Sequence, residues 1–209
     1  MPERYQMDQR HLDVLKEIGN IGVGHAATSL SVLLNKKVMM KVPAVKRIRF
    51  TDWMDQELSD ELAFAIYLRF DGDIQGQIFL LFSSDEAKHL LQGMGAPRPI
   101  HLERLTERSL EASAFGEIGN ILAGAFLTAL SDITGLKIYA SLPEICVDMA
   151  SAILAEGLFD FSLMGDEAVM MDAVITANHT EEQVQCAMTF LPTLGSFDHL
   201  MTALGISDG

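Results

Sequence analysis

The sequence contains little of what marks secreted, metal-binding or nucleic-acid-binding proteins. Its 209 residues include two cysteines, Cys146 and Cys186, whose number and spacing give neither a disulfide framework nor a zinc site. Lysine and arginine number 15 against 29 acidic residues, and the net charge is −14. This balance argues against the basic patches with which proteins bind nucleic acid or anionic membrane surfaces. We expect both cysteines to be buried thiols in a reducing compartment.

Long apolar runs are missing as well. The polar start MPERYQMDQRH has no signal-peptide core, and no uninterrupted apolar stretch approaches the ~18 residues of a membrane span. Hydrophobic residues nevertheless make up 49% of the chain, which is enough to build a substantial core. These properties predict a folded, cytoplasmic protein without membrane insertion.

The chain contains an internal repeat. The segment EIGNIGVG at 17–24 returns as EIGNILAG at 117–124, and the same offset of one hundred aligns identical residues as far as Pro43 and Pro143. Nearer the C-terminus the offset becomes 110, because HLLQGMG at 89–95 resembles HLMTALG at 199–205. We therefore predict two repeats, 9–95 and 103–205, with ten additional residues in the second, carried by an inserted helix near 144–157.

Hydrophobic periodicity gives each repeat one long helix, about three strands and one shorter helix. The long helices are predicted over 9–34 and 103–134, and Pro43 is expected to separate the strands KVMMKV and VKRIRF. The later strands follow one another as hairpins and do not alternate with helices, which indicates an α+β fold. We expect a single domain, 1–209, with a pseudo-two-fold, a continuous antiparallel sheet and both long helices on one side.

Both repeats carry the pattern [Asp/Ser]-x3-Glu-x2-Asn-x22-Pro. Its members are Asp13, Glu17, Asn20 and Pro43 in the first repeat, and Ser113, Glu117, Asn120 and Pro143 in the second. Residues three or four apart share a helix face, so each glutamate and asparagine should point the same way. The carboxylate can pair with a cation of a partner, and the carboxamide can hold a water in one orientation. A solvated helical pair would explain one copy, whereas two copies at matching positions favour a function.

Several glycines lie inside the predicted long helices. They are Gly19, Gly22 and Gly24 in the first, and Gly116, Gly119 and Gly124 in the second. Each costs about 1 kcal/mol relative to alanine in a helix interior, so something must compensate. Close packing of the helices within the protein and close approach of a partner to bare helix surface both remain possible explanations.

The doubled motif resembles that of the CheC/CheX/FliY family of chemotaxis phosphatases, and the similarity extends over about 13–205. The segments LLNKKV and DMASAILAE add to the resemblance. It implies a response-regulator aspartyl-phosphate phosphatase, a hydrolase of two-component signalling that acts on phosphorylated CheY. The resemblance implies that Asn20 and Asn120 position the attacking water. It also implies that Glu17 and Glu117 pair with a lysine of the regulator. Magnesium is expected in the regulator, and no metal or cofactor is expected in this chain.

The same resemblance implies a second partner, the receptor deamidase CheD, which is expected to regulate the phosphatase. The residues expected to contact it lie on the predicted inserted helix: Asp148, Met149, Ala152 and Ile153. A helix that merely covers the sheet is the alternative for this segment. An adaptor that binds and regulates CheD without much catalysis is the alternative function. Two motifs in one chain predict a monomer, because the internal pseudo-symmetry can replace the dimer interface of single-motif relatives.

Overall fold

The computed structural model describes residues 8–49, 61–96, 99–102, 109–150, 152–153, 167–177 and 183–206. Within them the helices are α1 Gln9–Leu33, α2 Ser84–Gly93, α3 Leu110–Thr134 and α4 Leu194–Ala203. The strands are β1 Val38–Arg49, β2 Leu62–Gly72, β3 Gly76–Ser83, β4 Ile138–Ala140, β5 Glu144–Met149, β6 Glu167–Ala177 and β7 Gln183–Pro192.

Each helix begins at a side chain that accepts hydrogen bonds from its unpaired N–H groups. The caps are Asp8 for α1, Ser83 for α2, Ser109 for α3 and Thr193 for α4. The sequence predicted that the second long helix begins near 103, but α3 begins at Leu110, where Ser109 caps it. The residues 103–108 of that prediction lie outside the described chain.

The seven strands form one antiparallel sheet in the order β1-β6-β7-β3-β2-β4, with β5 also paired to β2. The strands β2 and β3 of the first repeat correspond to β6 and β7 of the second, and β1 corresponds to β4 and β5. Exchanging each strand for its counterpart reverses the strand order. The pseudo-two-fold therefore passes through the central pair β3–β7, close to where Phe79 lies opposite Thr189. The predicted α+β fold, with a continuous sheet shared by two repeats, is confirmed.

Both long helices pack on one face of this sheet, as predicted, and cross each other there. Stacked and edge-on phenylalanine rings join α3 to the sheet, with Phe115 over Phe64 at 3.9 Å and Phe126 against Phe190 at 5.3 Å between ring centroids. At the helix crossing, a Cβ added to Gly22 would stand 2.9 Å from the Cα of Phe126. Glycine at this position therefore permits the close contact between α1 and α3.

The helix α3 is long and apolar enough to cross a membrane, with a mean hydropathy of 1.3 over an 18-residue window. More than half of that window, 56%, is buried inside the fold. Its core-facing side includes Phe115, Ile118 and Phe126, which belong to the main hydrophobic cluster. The core position of α3 accounts for its composition.

Pro43 does not separate two strands, and this prediction is wrong. The strand β1 runs from Val38 to Arg49 and pairs with β6 on both sides of the proline. The pairing register shifts between Lys41 and Ala44. Because β1 is an edge strand and the shift interrupts the ladder there, a residue without an N–H group is tolerated.

The predicted helix near 144–157 is wrong in its first part. Residues Glu144–Met149 form β5, which pairs with the outer edge of β2 so that Met149 lies opposite Leu62. Helical conformation begins at Ala150, and residues 151 and 154–157 lie outside the described chain. The unpaired N–H and C=O groups along β2 offer this segment a full set of hydrogen bonds, and this tertiary pairing overrides local helix propensity.

The segment also has a counterpart in the first repeat, contrary to the prediction. At the offset of one hundred, β4 and β5 together cover 138–149, which matches β1 at 38–49. The second repeat therefore splits one edge strand into two around 141–143. Part of the additional length of the second repeat lies after β5. The connection 150–166 is longer than its counterpart 50–61 in the first repeat.

Candidate active site

The motif of the first repeat lies on α1, where Glu17 and Asp13 are exposed and Asn20 is half-buried. The Asn20 side chain turns toward β1. Its Oδ1 accepts a hydrogen bond from the Val42 N–H at 3.0 Å, and its Nδ2 donates to the carbonyls of Lys16 at 3.0 Å and Val42 at 3.5 Å. The carboxamide thus uses both its donor and its acceptor inside the protein.

The register shift in β1 explains this arrangement. Lys41 pairs with Val174 and Ala44 with Asp172, so Val42 and Pro43 fall within the irregular stretch of the ladder. The Asn20 carboxamide supplies to Val42 the donor and the acceptor that a neighbouring strand supplies elsewhere. In this conformation Asn20 completes the edge of the sheet.

The motif of the second repeat has a different environment. Glu117 and Asn120 are exposed on the outer face of α3, and Ser113 is exposed one turn before Glu117. Within the residues that the structure describes, the side chains of Glu117 and Asn120 form no hydrogen bond. The Asn120 carboxamide is therefore available to a molecule from outside, which the Asn20 carboxamide is not.

The loop at the interruption between β4 and β5 forms hydrogen bonds to β2 and none to Asn120. Ser141 fixes this loop to β2, because its N–H donates to the Arg69 carbonyl at 2.8 Å and its Oγ accepts from the Arg69 N–H at 3.0 Å. The same Oγ donates to the Leu142 carbonyl at 2.9 Å. Leu142 is the counterpart of Val42, but its backbone groups make no bond to Asn120.

The two repeats also differ in what they expose beside the motif. The side chain of Val42 is 1% exposed, whereas that of Leu142 is 83% exposed. Pro143, the next residue, packs toward α3, since its Cγ would lie 3.5 Å from a Cβ built at Gly116. Gly116 precedes Asn120 by one helical turn, so the loop that carries the exposed Leu142 meets α3 one turn before Asn120.

Four of the six glycines in the long helices fall into two groups, while a Cβ at Gly19 or Gly116 would make ordinary contacts at 3.5 Å. Gly22 and Gly119 are required by packing, because a Cβ at Gly119 would come within 2.5 Å of the Ile66 side chain and one at Gly22 would meet α3. Gly24 and Gly124 are different, since a Cβ built there meets no atom within 4 Å. Close packing within the protein therefore explains Gly22 and Gly119, and it does not explain Gly24 or Gly124.

The residues predicted to contact CheD are not on one helix. Asp148 and Met149 lie exposed at the end of the outer strand β5, where the Asp148 carboxylate accepts from the Met149 N–H at 2.7 Å. Ala152 is half-buried, and Ile153 is 4% exposed because it packs against the alanines of β2. Ile153 covers the sheet, as the alternative interpretation of this segment expected, while Asp148 and Met149 remain accessible.

No metal centre competes with the Glu-x-x-Asn motif in the part of the chain that the structure describes, since it contains no cluster of three or more His, Cys, Asp or Glu that could hold an ion. The chemistry available at α3 is that of a carboxylate and a carboxamide on one exposed face. Such a pair can bind a cation of a partner and orient a water molecule.

The sequence signature of the CheC-like family matches residues 11–47 and 110–146, once in each repeat. Over 200 residues the chain is 36% identical to the CheY-P phosphatase CheC of Bacillus subtilis (strain 168), and the alignment covers 95% of this chain and 96% of that protein. The chain belongs to the CheC-like family. The double match, one to each repeat, also supports the internal duplication.

Two further comparisons concern FliY proteins. The flagellar motor switch phosphatase FliY of Bacillus subtilis (strain 168) is 28% identical over 151 residues, which cover 69% of this chain and 38% of that protein. The crystal structure of Thermotoga maritima FliY superposes with a TM-score of 0.76 at 18% identity, covering 98% of this chain and 100% of that one. At this identity the structural likeness shows the shared fold.

Proposed function

We propose that the protein is a phosphatase that hydrolyses the aspartyl phosphate of phosphorylated CheY, with Glu117 and Asn120 as its competent site. The observation that carries this proposal is the exposed Asn120 carboxamide, which the described chain leaves without a hydrogen bond. The 36% identical relative is named a CheY-P phosphatase, which supports the choice of substrate.

The proposed reaction needs positioning more than acid–base strength. The Asn120 carboxamide has both a donor and an acceptor available, so it can hold a water in line with the phosphorus. Attack by the water oxygen breaks the bond between phosphorus and the regulator's aspartyl oxygen. The products are the free carboxylate and inorganic phosphate, which takes up the oxygen and both protons of the water. Magnesium held by the regulator would balance the charge on the phosphoryl oxygens.

Glu117 has a different role in this proposal. Its exposed carboxylate would pair with a lysine of the regulator and fix the orientation in which Asn120 enters. In the first repeat the same chemistry would require Asn20 to leave Val42, because its donor and acceptor are both engaged there. We therefore assign most of the activity to the second repeat, although both motifs remain candidates.

CheD binding is a second candidate function, and the exposed position of Asp148 and Met149 favours it. They end β5, an outer strand whose far edge is open to a partner within the described sheet. We propose that CheD contacts this edge and modulates the phosphatase, or that the protein acts mainly as an adaptor for it. We also propose that the protein is cytoplasmic and monomeric.

The test is the decay of acetyl-phosphate-charged CheY with the wild type, Asn20→Ala, Asn120→Ala and the double variant. We expect Asn120→Ala to lose activity on the order of 10²-fold, and Asn20→Ala to retain most of it. If the wild type does not accelerate decay even with CheD present, the phosphatase proposal fails and the adaptor becomes the better hypothesis. A titration of CheD against wild type and Asp148→Lys then tests that alternative directly.

A further inference from the structure

No contact within the part of the chain that the structure describes requires glycine at position 124. It lies inside α3, its φ is not in the left-handed region, and a Cβ built there meets no atom within 4 Å. A glycine inside a helix is less favourable than alanine, so the position carries a cost that packing does not explain. Gly124 follows Asn120 by four residues, which places it on the same face one turn further along α3.

Because the asparagine side chain is short, the lack of a side chain at Gly124 matters for binding of a partner. An asparagine amide stands only a few bonds from the helix backbone, so it can enter another protein's site only if the helix itself approaches closely. A side chain larger than hydrogen one turn away, on the same face, would hold the two surfaces apart. Glycine at position 124 therefore allows a partner to approach α3 as closely as Asn120 requires.

Leu142 adds an exposed apolar side chain on the loop that meets α3 one turn before Asn120. A single exposed leucine is common on protein surfaces and needs no explanation by itself. Here, however, the loop that carries it is fixed by Ser141 to β2 and by Pro143 to α3, and the counterpart Val42 is buried. A leucine held in a fixed position beside the motif offers apolar area that a docked partner would remove from water.

We propose that Gly124 and Leu142 determine docking of the phosphorylated response regulator, with Asn120 between them. Gly124 permits close approach of the regulator's backbone, and Leu142 is covered by an apolar part of the regulator next to its phosphorylation site. The inference rests on the proposed function, since the occupant is the substrate of that same site. The surface is continuous with Asn120 and with the carboxylate of Glu117, which suits a partner that presents a lysine beside an anionic phosphoryl group.

The first repeat supplies a matched control. A Cβ built at Gly24 meets no atom either, but Asn20 beside it is engaged by Val42, which is buried where its counterpart Leu142 is exposed. Gly24→Ala and Gly124→Ala should both raise Tm, by about 2–4 °C, because alanine is the better helix former and nothing obstructs it. Only Gly124→Ala should weaken the use of CheY-P, which separates docking from folding.

The experiment measures initial rates of CheY-P hydrolysis against CheY-P concentration, together with thermal unfolding. For Gly124→Ala and Leu142→Ser we expect KM to rise roughly tenfold with a smaller change in kcat. Gly24→Ala and Leu110→Ser should keep the wild-type KM, since Leu110 is as exposed as Leu142 but lies three turns before Asn120. An unchanged KM in both Gly124→Ala and Leu142→Ser, with an active wild type, overturns the docking surface and leaves the phosphatase standing.

Binding of beryllofluoride-charged CheY, followed by titration, separates the two proposals if the wild type does not hydrolyse CheY-P. Tighter binding to the wild type than to Gly124→Ala would then uphold the docking surface and reject the catalytic role. Equal binding to the wild type, Gly124→Ala and Leu142→Ser, or no binding to any of them, would reject the docking surface as well.

Discussion

The carboxamide of Asn20 hydrogen bonds to both backbone groups of Val42, whereas the corresponding residues one hundred positions later, Asn120 and Leu142, make no such bonds. The two repeats share the motif and the fold but give the asparagine different tasks. In the first it completes an edge strand at a register shift, and in the second it faces solvent beside a loop fixed elsewhere. A duplicated sequence has therefore produced one structural asparagine and one that is open to a partner.

Replacing Asn20 by alanine should destabilise the protein. The Val42 N–H would lose its acceptor in a position where its side chain is almost fully buried, and an unmet backbone group of this kind costs about 1–3 kcal/mol. Urea denaturation should show a lower free energy of unfolding with an unchanged m-value.

Asn120→Ala is the control for that measurement, because Asn120 makes no hydrogen bond with the described chain. Its free energy of unfolding should stay within about 0.5 kcal/mol of the wild type. Equal destabilisation of the two variants would contradict the division of roles between the asparagines.

Two glycines of α1, only two residues apart, should respond in opposite directions to alanine. At Gly22 the added Cβ would stand 2.9 Å from the backbone of Phe126, so α1 and α3 must separate at a cost of about 1–3 kcal/mol. At Gly24 the same substitution meets no atom and should stabilise by about 1 kcal/mol. Thermal unfolding of the two variants measures the difference, and a loss of stability at Gly24 would show that its surroundings are not open.

The two cysteines should differ in reactivity. Burial raises the pKa of the Cys186 thiol well above its usual range, and the Glu86 carboxylate nearby acts in the same direction. Since the thiolate is the reactive form, Cys186 should resist a thiol-specific chromogenic reagent in the folded protein at mildly alkaline pH. Cys146 is exposed on β5, so the prediction that both thiols are buried is wrong for this residue, and it should react. We expect one fast thiol in native protein and two after denaturation, with Cys146→Ser removing the fast one.

Periodicity and the repeat were enough to predict the long helices, the hairpins and the shared sheet, because these follow from local pattern and from symmetry. The strand β5 could not be predicted in this way, since Glu144–Met149 is a strand only because β2 leaves an edge unpaired. The sequence placed Glu117 and Asn120 on one exposed face correctly. It could not show that Asn20 turns inward, because its partner Val42 becomes available only through the register shift in β1. The Asn-x22-Pro spacing, which puts Val42 directly before Pro43, was the one signal of that contact.

Glu117 should control how strongly CheY-P hydrolysis depends on ionic strength. If its exposed carboxylate pairs with a lysine of the regulator, salt screens the attraction and KM of the wild type should rise as the Debye length shortens. Glu117→Gln keeps the size and one acceptor oxygen but removes the charge, so its KM should be higher at low salt and change less with salt. Glu17→Gln is the matched control, since it removes the same charge from the motif whose asparagine is engaged. A salt dependence that is identical in wild type and Glu117→Gln would show that the carboxylate does not meet a cation of the regulator, and the orientation we assign to the docked complex would then have to be abandoned.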